Sequence, residues 1–356
     1  MIHEAWARPA LQPPRAHGPP LPPAGLKSVP EDFLIEEQLS FAPSGSGPHW
    51  LLQVEKRAAN TRWVGAQLAQ LAGVAASEVG YAGLKDRHAV AVQWFSVPAA
   101  VKGADFWREV CTAEFRVRQV FANSRKLRRG ALSGNRFRIR LRRVLWSGEQ
   151  LQLKLDALRA HGVPNYFGPQ RFGREGCNLQ RVASWVESAV APRGRAERGF
   201  TLSAARSLVF NAVLARRVAA GDWSQLAAGD LASLDGSGSH FPVTAVDAEL
   251  RRRLSLFDIH PSGPLWGRGD PPSQGQALQH EAAVAQELAP VIHLLQRQGL
   301  SQERRALRCA IRELAVERDG DALCLSFLLG RGQFATAVLR ELCDFDVPPE
   351  LDSGEE

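Results

Sequence analysis

The 356-residue sequence predicts a mixed α/β (α+β) protein in which a β-rich domain is interrupted by a mostly irregular and helical insertion over about residues 166–302. Three observations carry that expectation. Short runs ahead of residue 145 alternate apolar and polar side chains with the period of a strand. At "VPNYFGPQRFGREG" the style changes to aromatic and glycine-rich loop, followed by helices. After Ser301 strand signals return, with a hairpin pattern about Asp319-Gly320. The length agrees, because single cores stop growing beyond roughly 250–300 residues.

In chain order, residues 1–26 hold seven prolines with little apolar periodicity and read as an extended, mobile tail. Order starts near "LKSVPEDFLIEEQL", where Phe33, Ile35 and Leu39 suggest a strand. "HWLLQVEK" repeats the signal across the turn "FAPSGSGPH", so the two are expected to pair as a hairpin. "NTRWVGAQLAQLAGV" follows as a helix, with Asn60 or Thr61 as N-cap and Gly73 as its stop. Two further strands, "EVGYAG" and "AVAVQWFSV", flank the charged loop Lys85-Asp86-Arg87-His88. "GEQLQLKLDALRAHG" is a helix ending at Gly162. In the insertion "TLSAARSLVFNAVLARRVAAG" is helical, "DGSGSHFPV" and "HPSGPLWGRGDPPSQG" are turn-rich, and a helix starts near His280. "QFATAVLREL" closes the chain as a helix before an acidic tail, 344–356.

Composition bounds the function. Lys and Arg outnumber Asp and Glu by 44 to 37, a formal charge of +7 that suits a polyanionic partner. Five scattered cysteines form no C-x-x-C and no zinc-ligand spacing, so a reduced, metal-free, cytoplasmic protein is expected. No apolar stretch reaches the ~18 residues of a membrane span, and a monomeric state is favoured. Phosphate-loop, dinucleotide, nucleophile-elbow and H-E-x-x-H motifs do not occur, so the expected chemistry is run by ordinary side chains without a cofactor.

Two stretches point to that chemistry. Asp86 is the only acid between Glu78 and Asp105, set among three potential cations. It reads either as part of a solvated hairpin tip or as an aspartate kept ionised as a nucleophile by neighbouring positive charge. Residues 125–143 hold nine cations and no acid: Arg125, Lys126, Arg128, Arg129, Arg136, Arg138, Arg140, Arg142 and Arg143. Such a run suits phosphate tracking, the alternative being a solvated face with acidic partners elsewhere. Within it "NRFRIRLR" puts Asn135, Phe137, Ile139 and Leu141 on one face and the arginines on the other. Asn135 and Phe137 suit base pairing-edge recognition and stacking, while plain core packing is the commoner use of such positions. Only six of the basic residues are lysines, Lys27, Lys56, Lys85, Lys102, Lys126 and Lys154, so a lysine beside Asp86 is consistent with a need for a compact ammonium.

The blocks "KSVPEDF" (27–33), "NTRWVGAQLA" (60–69), "GLKDRHAVAVQ" (83–93), "GNRF" (134–137), "VPNYFGPQRFG" (163–173) and "FATAVLREL" (334–342) resemble, in order, the signature blocks of the TruD family of tRNA pseudouridine synthases. The resemblance implies a pseudouridine synthase fold around a bent antiparallel or mixed sheet, with catalytic segments 27–165 and 303–343 and a TruD-specific insertion domain, 166–302. It implies cofactor-free isomerisation of uridine 13 in the tRNA D stem, with tRNA as partner. Asp86 would be the catalytic aspartate. Phe137 would stack on the target base, Asn135 would bind near it, Phe33 and Phe334 would line the pocket, and Lys27 would supply a cation near the carboxylate. Arg125, Lys126, Arg128, Arg129, Arg138, Arg140 and Arg142 are the expected RNA-binding set. The family usually has Thr where Ala91 stands. The competing class is a non-catalytic RNA-binding or RNA-chaperone protein, which would need the basic strand but not Asp86.

Overall fold

A computed structural model describes residues 4–346. They form two compact units, one of residues 21–147, 311–333 and 343–346, the other of residues 4–20, 148–310 and 334–342.

The first unit is built on a mixed eight-stranded sheet. Its strands before residue 145 are β2 (Phe33–Leu39), β3 (His49–Arg57), β4 (Gly80–Tyr81), β5 (Val90–Pro98), β6 (Phe115–Asn123) and β7 (Leu132–Leu141), with β1 (Leu21–Gly25) outside the sheet. The hairpin Arg312–Asp319/Ala322–Gly330 adds to the free side of β7, giving the order hairpin, β7, β2, β5, β3, β6, with β4 beside β5. The β2–β5 pair is parallel and the others in this sheet are antiparallel. The expected β2–β3 hairpin does not form, because β5 lies between them and pairs with both. Residues 91–97 of β5 are all buried, so this strand takes the centre of the sheet and displaces the chain-adjacent pairing.

Helix Thr61–Ala72 starts and stops where local chemistry directs. The Asn60 side chain accepts from Arg62 N at 2.8 Å, and Gly73, at φ 70, donates back to the last turn. Val64, Leu68 and Ala72 pack with Leu52, Val54, Phe95 and Trp107 in a core beneath the sheet.

The second unit packs helices around Arg195–Ala220, whose Leu208, Val209, Phe210 and Leu214 are wholly buried. It also contains a four-stranded antiparallel sheet that the sequence reading lacked: His240–Pro242, Leu231–Leu234, Ile259–Leu265 and Glu303–Ala306. The strand Ile259–Leu265 carries Pro261, Gly263 and Pro264, residues that signal turns, which is why it reads as loop.

The prolines of residues 1–26 do not exclude structure. Helix Glu4–Leu11 buries Trp6 and Ala10 in the helical core, and β1 pairs in parallel with Cys343–Asp346. The acidic tail beyond residue 346 lies outside the described residues. Among the described residues no helix is long and apolar enough to cross a membrane, and no cluster of three or more His, Cys, Asp or Glu could hold a metal ion.

Candidate active site

Register across the first unit's sheet brings one set of side chains to a common face. Ile35 stands opposite Phe137 and Ala91, Phe33 opposite Ile139, Glu37 opposite Asn135, and Lys56 opposite Ala91. Cross-strand partners share a face, so Phe33, Glu37, Lys56, Ala91, Asn135 and Phe137 all project to one side. Phe137 stacks on Phe327 at 5.5 Å between centroids and meets the edge of Phe33 at 6.1 Å. Both Phe33 and Phe137 are buried, as is Ala91 between its neighbours. The Asn135 amide oxygen is buried with no hydrogen-bond partner among the described residues.

Asp86 sits on the loop that enters β5, with about a third of its side chain (34%) open to solvent. One carboxylate oxygen is ion-paired with Lys27 and the other accepts from His88 N at 2.9 Å. Burial alone pushes the Asp86 carboxyl up, but the charge and hydrogen bond of Lys27, with help from the His88 N–H, outweigh it and hold the group below the usual carboxylate range. Lys27 also lies 4.5 Å over the Phe33 ring, which ties the carboxylate to the aromatic floor. Its backbone is left-handed, φ 56, an uncommon conformation for a residue with a Cβ and one that marks functional loops.

The partner of Asp86 is therefore Lys27, 59 residues away, and not the adjacent Lys85 or the exposed Arg87. Lys85 turns from Asp86 to a buried ion pair with Glu37 at 2.6 Å. Glu37 also accepts from Trp94 N at 3.1 Å, and Lys85 N donates to Thr61 Oγ1 at 3.0 Å. Thr61 in turn donates to Gln93 Oε1, and Gln93 Nε2 donates to Gly83 O. These contacts fasten the loop to β2, β5 and the 61–72 helix. A further residue absent from the sequence-based set is Lys56, wholly buried, which donates to Asp86 O at 2.8 Å and Ala59 O at 2.6 Å. Burial draws its ammonium down to about 8, with Asp86 opposing and Lys85 adding to the effect. Lysine scarcity was the available signal: Lys27, Lys56 and Lys85 are three of six in the chain, and all three meet at this loop.

The arginine row divides. Arg136 pairs with Glu313, Arg140 with Asp319, and Arg142 with the buried Asp32, so the face is in part the solvated, acid-partnered alternative. Arg138, Arg125 and Arg128 are exposed and have no acidic partner among the described residues. Lys126 donates to Ser77 O, and Arg129 covers the Tyr81 ring at 3.9 Å. Phe334 belongs to the helical unit, where it packs against that unit's core.

An ionised carboxylate held against an aromatic floor, with an unsatisfied amide oxygen on the same face, suits covalent or proton-transfer chemistry on a planar group. The chain belongs to the tRNA pseudouridine synthase D (TruD) family, whose model matches residues 23–189 and 196–342. It is 46% identical over 327 residues to a tRNA pseudouridine synthase D of Nitrosococcus oceani, covering 91% of each chain. It is 45% identical over 334 residues to one of Methylococcus capsulatus, covering 94% of each. Its fold matches the crystal structure of a Methanosarcina mazei protein assigned to tRNA pseudouridine synthase D, with a TM-score of 0.72 and 19% identity, covering 96% of this chain and 98% of that one.

Proposed function

We propose that this protein isomerises uridine to pseudouridine in tRNA, at position 13 of the D stem, with Asp86 as the reacting carboxylate. The observation that carries the reading is the Lys27–Asp86 pair set against Phe33 on the face that bears Asn135 and Phe137. A uridine in a stem must leave its stack first, at roughly a few kcal/mol. Phe33 and Phe137 offer the extruded uracil an apolar aromatic surface, and the unpartnered Asn135 oxygen offers an acceptor to its imide N–H.

The reaction breaks the C1′–N1 bond, turns the uracil and joins C1′ to C5. The C5 proton is lost and N1 gains one, so no atom is added or removed and no redox partner is needed. Attack of Asp86 on C1′, attack on C6 and removal of a sugar proton to a glycal all require the ionised carboxylate that Lys27 maintains. Arg125, Arg128 and Arg138 supply phosphate contacts that position the RNA. The same protein is expected to act in the cytoplasm, where tRNA is.

The test is to incubate an unmodified tRNA transcript with the purified protein and map pseudouridine by carbodiimide labelling and primer extension. Product at position 13 that vanishes when U13 is replaced by cytidine is expected. Product elsewhere with none at 13 rejects the assignment of the site in tRNA.

A further inference from the structure

Lys56 is the penultimate residue of β3, at a position where the sheet face could take an apolar side chain, as Ala91 opposite it and Ile35 on the next strand show. Burying an ammonium is unfavourable unless its donors are used and its charge is answered. Its two main-chain acceptors are Ala59 O, at the approach to the 61–72 helix, and Asp86 O. The charged groups acting on it are Asp86, already paired with Lys27, and Lys85, already paired with Glu37. From the other packed elements, β5 presents Ala91, which carries no charge, and the helix presents the Thr61 hydroxyl, engaged with Lys85 N and Gln93. Residues 82–89 belong to no strand, so the height of the Asp86 peptide above the sheet is set by such side-chain contacts and not by a ladder.

We propose that Lys56 is a positioning residue for Asp86: its buried ammonium ties the Asp86 carbonyl to the Ala59 carbonyl and so fixes the carboxylate where Lys27 and the aromatic floor meet it. Lys27 fixes the carboxylate end and Lys56 the main-chain end of the same residue. This rests on the reading of Asp86 as the reacting group. Loss of the clamp lets the carboxylate drift, and displacement of a reacting group by about 1 Å lowers rates by about 100-fold.

The experiment compares wild type, Lys56→Met, Lys56→Gln and Asp86→Asn in single-turnover pseudouridine formation on the same tRNA transcript, with tRNA affinity by filter binding. Lys56→Met keeps the length of the side chain and removes every donor. Its expected rate is about 100-fold below wild type with affinity within threefold, and Lys56→Gln, which keeps donors, recovers part of the loss. A Lys56→Met rate within threefold of wild type, with Asp86→Asn inactive, overturns the positioning role alone. An active Asp86→Asn overturns the underlying reading instead.

Discussion

Replacing Lys56 by Met should change how stability depends on pH, in a direction and amount set by its burial. The free Lys value is 10.5 and the buried ammonium is drawn down to about 8. The folded state then binds fewer protons than the unfolded chain between those two values, so folding becomes more favourable as pH rises through that window. The difference, 10.5 − 8 = 2.5, corresponds at 1.36 kcal/mol per unit to about 3 kcal/mol. Lys56 is fully buried, so no discount for solvent screening applies. Below pH 8 wild type carries the whole penalty of the buried charge, and by pH 10 roughly 2 kcal/mol or more of it is relieved. Lys56→Met has no such group, while the hydrogen bonds it loses do not themselves depend on pH. Urea pulse proteolysis of both proteins from pH 7 to pH 10, following peptides of the sheet-bearing unit, should show wild type gaining about 2–3 kcal/mol on the variant. A stability difference that stays constant across that range would refute the buried ammonium.

Four other changes separate floor, counter-ion and arginine face. Phe137→Ala removes the ring between Phe33 and Phe327 and should cost about 3–5 kcal/mol in unfolding measurements, with single-turnover rate falling more than tRNA affinity; undiminished turnover rejects its role at the base. Lys27→Met removes the largest influence opposing the burial of Asp86 and leaves only that of His88, so the acid limb of the rate profile should move to higher pH, and an unmoved limb assigns the ionised state to another partner. Arg142→Ala removes the charged partner of the buried Asp32, which accepts from the Arg142 guanidinium at 2.8 to 3.1 Å, and leaves it only the Val29 N–H, so it should cost about 1–3 kcal/mol. Arg138→Ala should leave unfolding nearly unchanged while lowering the salt dependence of tRNA binding, and a salt slope equal to wild type puts the RNA elsewhere.

What was legible in the sequence is what local chemistry decides. Asn60 and Gly73 bound their helix because capping acts within one turn, and the alternation of 135–142 sorted Phe137 from the arginines because a strand has period two. The hairpin assignment of β2 and β3 failed because the central place of β5 is decided across the sheet, by burial on both faces. The same distance hid the chemistry of the loop. Asp86 stood out among its neighbours, but only the family resemblance, and not the residues around it, pointed to Lys27 as its cation, and the adjacent Lys85 serves Glu37. The acids answering the arginine row, Asp32, Glu313 and Asp319, come from far along the chain, so a run without acids in sequence is partly neutralised in space. Lys56 gave only the hint of being one of few lysines.

The most direct measurement is pseudouridine formation at position 13 of a purified tRNA transcript by wild type and by Asp86→Asn, with tRNA binding recorded for both. Asn keeps the size of the side chain and removes its charge. Wild type is expected to form the product, and Asp86→Asn to bind the same tRNA and form none. Product from the Asn variant at a rate near wild type would remove Asp86 from the chemistry.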